Sequence, residues 1–201
     1  MAFDPKPFFD SIRKSLFGGR LGALQVRGIN AILDGWTKRF PDLGDIRQLA
    51  YVLATAYHET GTRMYALREG FALTDAGARS AVAKAGYKYA KPDPQTGHVY
   101  YGRGLVQITW RENYETMGRK LGLDLVHDPD LALSPPVAVE ILISGMIDGD
   151  FTRKRLADYF NAKKDDPRNA RRIINGMDRA SDIAVHHRAF LDALRAAVVE
   201  Q

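Results

Sequence analysis

The sequence AYHETG at residues 56–61 constrains this chain most, because it places a carboxylate at the end of an apolar helix. Asp45 is a residue type that caps helix N-termini. Behind it, apolar residues recur at helical spacing from Ile46 to Tyr57. Gly61 then supplies a stop. A helix from about residue 46 to Glu59 is therefore predicted, with the carboxyl group of Glu59 at its C-terminal end.

A second segment, YYGRGLVQIT at residues 100–109, combines glycines with aromatic and amide side chains that suit the wall of a sugar site. On an extended strand, Gln107 and Thr109 would share a face. With Asn113 they could hold a water molecule and an acetamido group. Three aromatic side chains could either stack on sugar rings or pack in the core: Tyr100, Tyr101 and Trp110.

Composition places the chain among ordinary globular domains, with 201 residues, 45% apolar and 26% charged. The absence of cysteine excludes disulfides and thiolate chemistry, and fits folding in a reducing compartment. No run is long and apolar enough for a membrane span, and we find no signal peptide. The net charge of +5 fits two interpretations: a surface that binds polyanionic partners, or an ordinary solvated surface.

Periodicity predicts one α-rich domain without internal repeats or linkers. The expected helices cover residues 8–17, 26–36, 46–59, 76–86, 110–121, 135–146, 168–175 and 183–198. We expect a further helix capped by Thr152 and containing residues 156–160, and a short strand at 99–101.

Glu59 and Glu69 are the candidate acid and base. The negative end of the helix dipole and an apolar surrounding both disfavour the charged form of Glu59, as a proton donor requires. Glu69, ten residues on, could activate water across a bound sugar. On local sequence alone, a solvated helix cap for Glu59 and a salt bridge from Glu69 to Arg63 or Arg68 are the more common alternatives.

Other chemistries lack their motifs. The second histidine of a zinc-binding His-Glu-x-x-His is replaced by Thr62. His186 and His187 are adjacent and would point about 100° apart on a helix. No Gly-x-Ser-x-Gly or dinucleotide loop is present. We expect no metal and no cofactor.

Two motifs together resemble the family-19 glycoside hydrolases, which include class I chitinases and many phage and bacterial lysozymes. HETG at residues 58–61 looks like the family motif that carries the general acid, and YGRGLVQIT at 101–109 looks like its cleft segment. NY at 113–114 and ING at 174–176 follow in the family order. GDFT at 149–152 and LADYF at 156–160 look like the lysozyme branch.

The resemblance implies a mainly α, lysozyme-like, two-lobed fold with a small β element beside the cleft. It also implies a single catalytic domain over residues 1–201, with 1–44 as an N-terminal helical extension and 45–195 as the family-like core. Glu59 and Glu69 are carried over as acid and base. The implied substrate-binding residues are His58, Tyr101, Gln107, Thr109, Asn113, Asn175 and Arg188. The sequence REGFALT around Glu69 departs from the family pattern, and Thr62 replaces a usual glycine.

These features predict an inverting glycosidase that cleaves β-1,4 bonds in peptidoglycan glycan strands. The lack of a signal peptide and the basic charge fit a monomeric phage endolysin. Such a protein would stay in the host cytoplasm until a separate holin opens the membrane, without direct contact between the two.

Three alternatives remain at this point. A chitinase would act on the same N-acetylglucosamine unit. A non-catalytic binder would hold cell-wall glycan in the same groove without turnover. Nucleic-acid binding is disfavoured because no docking motif is present, and it would show steep salt dependence.

Overall fold

The computed structural model describes residues 2–199, which form seven α-helices, several short 3₁₀ turns and three two-stranded antiparallel pairs. The helices are α1 (Pro5–Ser15), α2 (Ala23–Arg39), α3 (Ile46–Glu59), α4 (Asp75–Lys84), α5 (Arg111–Leu121), α6 (Pro135–Asp148) and α7 (Ala180–Ala197). The strands are β1 (Ala2–Phe3), β2 (Leu67–Arg68), β3 (Arg103–Gly104), β4 (Phe160–Asn161), β5 (Lys164–Asp165) and β6 (Val198–Val199). The pairs are β1 with β6, β2 with β3 and β4 with β5.

Helix α3 is the centre of the main core. Asp45 caps it as predicted, accepting a hydrogen bond from the Arg47 backbone N–H at 3.0 Å. Every residue from Leu49 to Tyr57 is buried. This burial is nearly complete because α7 and α6 both pack against the helix, and α7 also packs on α1. The predicted helix is confirmed, and its rigid packing fixes the position of Glu59.

A second, smaller core lies apart from the main one and consists of Ala78, Val82, Val99 and Tyr101. It joins α4 to the segment that precedes β3. The antiparallel β2–β3 pair, with Arg68 opposite Arg103, directly follows this segment in the chain through β3. The mainly α, two-lobed fold with a small β element is therefore confirmed.

Three expected elements are wrong in detail. Residues 99–101 form no strand, because Tyr101 is packed in the small core and the pairing begins at Arg103. The region around 156–160 contains a single 3₁₀ turn at Leu156–Asp158, followed by β4. Residues 168–175 contain the short 3₁₀ helix Asn169–Ile173 instead of an α-helix.

Residues 1–44 are expected to form an N-terminal extension, and their described part is packed into the main core. Phe8 and Ile12 of α1 and Trp36 of α2 are buried there. β1 pairs with β6, so the two ends of the described chain meet. Among the described residues, no helix has the length and apolar character needed to cross a bilayer.

Candidate active site

A cleft of about 590 Å³ lies between the two lobes, with a mostly polar lining. It is lined by Glu59, Glu69, Tyr87, Tyr89, Val106, Gln107, Ile108, Thr109, Trp110, Asn113, Phe151, Ile174 and Asn175. Both candidate carboxylates and four of the seven implied binding residues therefore lie in one cleft.

Glu59 is the last residue of α3, and its carboxylate is paired with an arginine from another part of the chain. Arg171 Nη1 donates to Glu59 Oε1 at 2.6 Å. The Arg171 side chain is only 5% exposed, and its Nε is fixed by the carbonyl oxygen of Asp178 at 3.1 Å. The carboxylate is thus held by a buried, oriented cation, and a solvated helix cap does not describe it.

Glu69 follows β2 in a short 3₁₀ turn, and both of its oxygens are bonded. The backbone N–H of Gly102 donates to Oε2 at 2.7 Å, and the Tyr89 hydroxyl donates to Oε1 at 2.6 Å. The expected salt bridge to a neighbouring arginine is not formed. Arg68 pairs with Asp130, and Arg63 stacks on the ring of Phe71.

The Gly102 donor is positioned by Arg103, whose side chain is 1% exposed. Its guanidinium lies 3.6 Å from the centre of the Tyr101 ring and bonds to Asp75 and Asp130. Although burial opposes ionisation, hydrogen bonds from Arg103 and Arg68 hold the pKa of Asp130 below its ordinary value of 3.8. A buried cation with two carboxylate partners makes this wall rigid.

Gln107 and Thr109 line the cleft, but not on an extended strand. Gln107 has a φ of 52°, so the chain turns sharply there. Its Nε2 donates to the carbonyl oxygens of Leu67 and Gly104 at 3.1 and 3.0 Å. Asn113 Nδ2 donates to the Thr109 carbonyl at 2.8 Å. The side-chain amide nitrogens of Gln107 and Asn113 therefore stabilise the backbone of the cleft wall.

Three implied binding residues do not reach the cleft. His58 lines a separate surface pocket with His186, because consecutive helix positions point about 100° apart. Tyr101 is fully buried and its hydroxyl donates to Asp75. Arg188 is exposed on α7, beside a different pocket. Within residues 2–199, no three histidine, aspartate or glutamate side chains come together as a metal site.

The side-chain partners of the two candidate carboxylates, Arg171 and Tyr89, have no counterpart among the predicted residues. Arg171 lies next to another arginine, Arg172, and only the tertiary fold decides which of the two meets Glu59. Tyr89 follows a glycine-containing turn in a segment without clear periodicity. No local signal in the sequence identifies either residue.

Two carboxylates in one polar cleft of a two-lobed helical fold define a glycosidase-like site. The class I chitinase family matches residues 37–144, more than half of the chain, and this range includes both glutamates. The chain belongs to this family, the family-19 glycoside hydrolases.

Related proteins agree with this assignment. An Arabidopsis thaliana protein, Endochitinase At2g43610, is 37% identical over 99 residues, which is 47% of this chain and 30% of that protein. The match thus spans less than a third of that relative. Chitinase C from Streptomyces griseus HUT6037 has a similar fold, with a TM-score of 0.58 and 21% identity over 99% of this chain and 79% of that one. The structure of a bacterial family 19 chitinase is similar with a TM-score of 0.50 and 21% sequence identity. The similarity covers 96% of this chain and 94% of that one.

Proposed function

We propose that this protein hydrolyses the β-1,4 bonds of chitin-type polymers of N-acetylated amino sugars by an inverting, two-carboxylate mechanism. The observation that carries the proposal is that Glu59 and Glu69 line the same cleft from different elements. One ends α3 and the other follows β2. A water molecule between sugar and base is what an inverting site must accommodate.

In this mechanism Glu59 protonates the glycosidic oxygen. Glu69 draws a proton from water held near Thr109, and that water attacks the anomeric carbon from the opposite face. After Glu59 has given up its proton, Arg171 stabilises the resulting carboxylate. The bonds from Gly102 and Tyr89 orient both oxygens of Glu69.

Chitin takes the place of peptidoglycan as the first substrate to test. The basic charge and the absent signal peptide favour peptidoglycan and a phage origin on the sequence alone. The similar proteins bear the name chitinase, and their names favour the alternative substrate. Peptidoglycan shares the N-acetylglucosamine unit and is the second substrate.

The experiment is digestion of chitin oligosaccharides in H₂¹⁸O, followed by mass spectrometry and by NMR of the first anomer formed. We expect ¹⁸O at the new reducing end and an initial α-anomer, as inversion of a β-bond requires. Glu59→Gln and Glu69→Gln should abolish both signals. Glu115→Gln, a partly exposed carboxylate outside the cleft, is the matched control.

Each other outcome has a defined meaning. An initial β-anomer would reject inversion. Turnover of peptidoglycan alone would replace chitin as the substrate and keep the glycosidase assignment. If neither polymer is cleaved but chitin oligomers still bind, the protein is a glycan binder and the catalytic proposal fails.

A further inference from the structure

Three aromatic side chains form a continuous group in the cleft, which we call the aromatic ladder: Tyr87, Tyr89 and Trp110. The rings of Tyr87 and Tyr89 are stacked, with centroids 5.1 Å apart and 24° between their planes. Trp110 meets Tyr89 edge-on at 5.4 Å and 76°. The ladder therefore joins two segments of the cleft wall that are distant in sequence.

The two ends of the ladder are open to solvent, although both are large aromatic rings. Tyr87 is 48% exposed and Trp110 is 43% exposed. Covering exposed apolar surface is favourable. A β-1,4-linked amino sugar carries its polar groups around the edge of the ring and presents C–H groups on its faces. Such a face is complementary to an exposed aromatic ring at the edge of a polar cleft.

The backbone of Trp110 supports a functional reason for its exposure. Its φ is 69°, in the left-handed region that non-glycine residues rarely adopt. The conformation is held by a hydrogen bond from its N–H to the Tyr100 carbonyl at 3.0 Å. Strained backbone of this kind is concentrated at functional sites. Here it presents an indole ring to the cleft.

Tyr89 connects the ladder to the candidate base. It is packed against both of the exposed rings, and its hydroxyl donates to Glu69 Oε1 at 2.6 Å. Burial, together with this hydrogen bond, raises the pKa of Tyr89 above its ordinary value of 10.0. The phenol of Tyr89 therefore stays neutral at neutral pH and remains a hydrogen-bond donor.

We propose that Tyr87 and Trp110 form a stacking subsite for an N-acetylated amino-sugar ring, and that Tyr89 is a positioning residue that holds Glu69 beside it. The choice of ligand rests on the proposed function. The subsite makes affinity depend on oligomer length, because only a chain that extends to the ladder gains the stacking contact. The hydroxyl of Tyr89 acts on the rate through the orientation of Glu69.

Tryptophan fluorescence tests the subsite directly, since the sequence has two tryptophans and the other, Trp36, is 1% exposed. In a Glu59→Gln background, chitin oligosaccharides of increasing length should shift the emission to the blue and protect it from acrylamide. Adding Trp110→Phe should remove this response. Tyr87→Ala should weaken binding of the longer oligomers by up to about tenfold, the worth of one aromatic contact.

The outcomes separate the subsite from the proposed function. Binding detected by calorimetry without a Trp110 response, or with full affinity in Tyr87→Ala, overturns the subsite. Failure of every oligomer to bind overturns it as well. If Trp110 responds but the wild-type protein cleaves nothing, the subsite stands while the hydrolase proposal fails, and the role of Tyr89 fails with it.

Tyr89→Phe tests the positioning role, since it keeps the ring and removes the hydroxyl. We expect kcat to fall about tenfold or more, the worth of a hydrogen bond to a charged group. KM and the Trp110 response should not change. Tyr65→Phe, outside the cleft, is the matched control, and thermal melting checks the fold. An unchanged kcat, or a rise in KM alone, would contradict the positioning role.

Discussion

Arg171 and Glu59 form a 2.6 Å ion pair across 112 residues of sequence. The guanidinium is nearly buried, while the carboxylate keeps 17% of its surface open to the cleft. The glutamate can meet substrate, and its compensating charge cannot move away into solvent.

Replacing Arg171 with methionine should lower kcat on chitin oligosaccharides by about 100-fold, the scale of losing one electrostatic stabiliser. Arg171→Lys should retain part of the activity, because it keeps the charge but loses the planar guanidinium. Steady-state kinetics measures both effects. Arg172→Met is the control, since its side chain is exposed. Equal activity of Arg171→Met and Arg172→Met would reject this role.

Gly102→Ala should impair catalysis without large loss of stability. A Cβ at this position would lie 2.8 Å from Gln107 Oε1 and 3.2 Å from Glu69 Oε2, so one of the two side chains must move. We expect kcat to fall by about tenfold or more, because small displacements of catalytic groups lower the rate strongly. Gly22→Ala meets only the flexible end of Gln25 at 3.4 Å and is the control. Wild-type kcat in Gly102→Ala would show that the site tolerates the shift.

Gly28→Ala should destabilise the fold, although alanine is the better helix former by about 1 kcal/mol. The new Cβ would lie 1.8 Å from the carbonyl oxygen of Met64, a backbone atom that cannot rotate away. Overpacking of this kind costs typically 1–3 kcal/mol, so the net effect is a lower Tm. Calorimetry measures it. Gly176→Ala, with nothing within 4 Å, should leave Tm nearly unchanged.

The buried ring of His187 should make stability depend on pH near neutrality. Burial lowers the pKa of His187 below its ordinary value of 6.5, so the unfolded chain binds the proton more readily than the folded one. The free energy of unfolding is therefore highest above pH 6.5 and decreases as the pH falls from there toward the folded pKa. Urea unfolding between about pH 7.5 and 5.5 measures the decrease.

His187→Phe should reduce that pH dependence, whatever it does to stability at neutral pH. The replacement ring can keep the stacking on Phe160, whose centroid lies 5.2 Å away. It loses the hydrogen bond between His187 Nε2 and the Arg47 carbonyl. An exposed histidine, His127, supplies the control variant His127→Asn. A slope identical to wild type in His187→Phe would contradict the assignment.

The sequence predicts most helices from local patterns, and its resemblance to a known family implies much of the cleft. The period of apolar residues defines α3, and the cap at Asp45 fixes its start. The resemblance of residues 58–61 and 101–109 to two motifs of one family then implies that Glu59, Gln107 and Thr109 share a cleft. His58 lies outside the cleft for a local reason as well, since consecutive helix positions point about 100° apart and its side chain is turned away from that of Glu59.

The partners of the two carboxylates depend on tertiary structure and leave no such pattern. Arg188 is expected near the catalytic centre from its order in the family, but the nearby guanidinium belongs to Arg171. The 3₁₀ turn at Asn169–Ile173, which the sequence pattern predicts as a longer helix, is what places Arg171 beside Glu59. Tyr89 is likewise placed by packing between two other rings.

The buried guanidinium of Arg103 ties the small lobe to the wall that carries Gly102. Because it bonds at once to Asp75 at the start of α4 and to Asp130, opening of either segment takes one of two carboxylate partners away from a buried charge. We therefore expect α4 and the segment around Asp130 to open together in one larger unfolding event, and not one at a time. Amide hydrogens of α4 and of the β2–β3 pair should exchange with solvent as one group, so that the base and its lobe are lost or regained together.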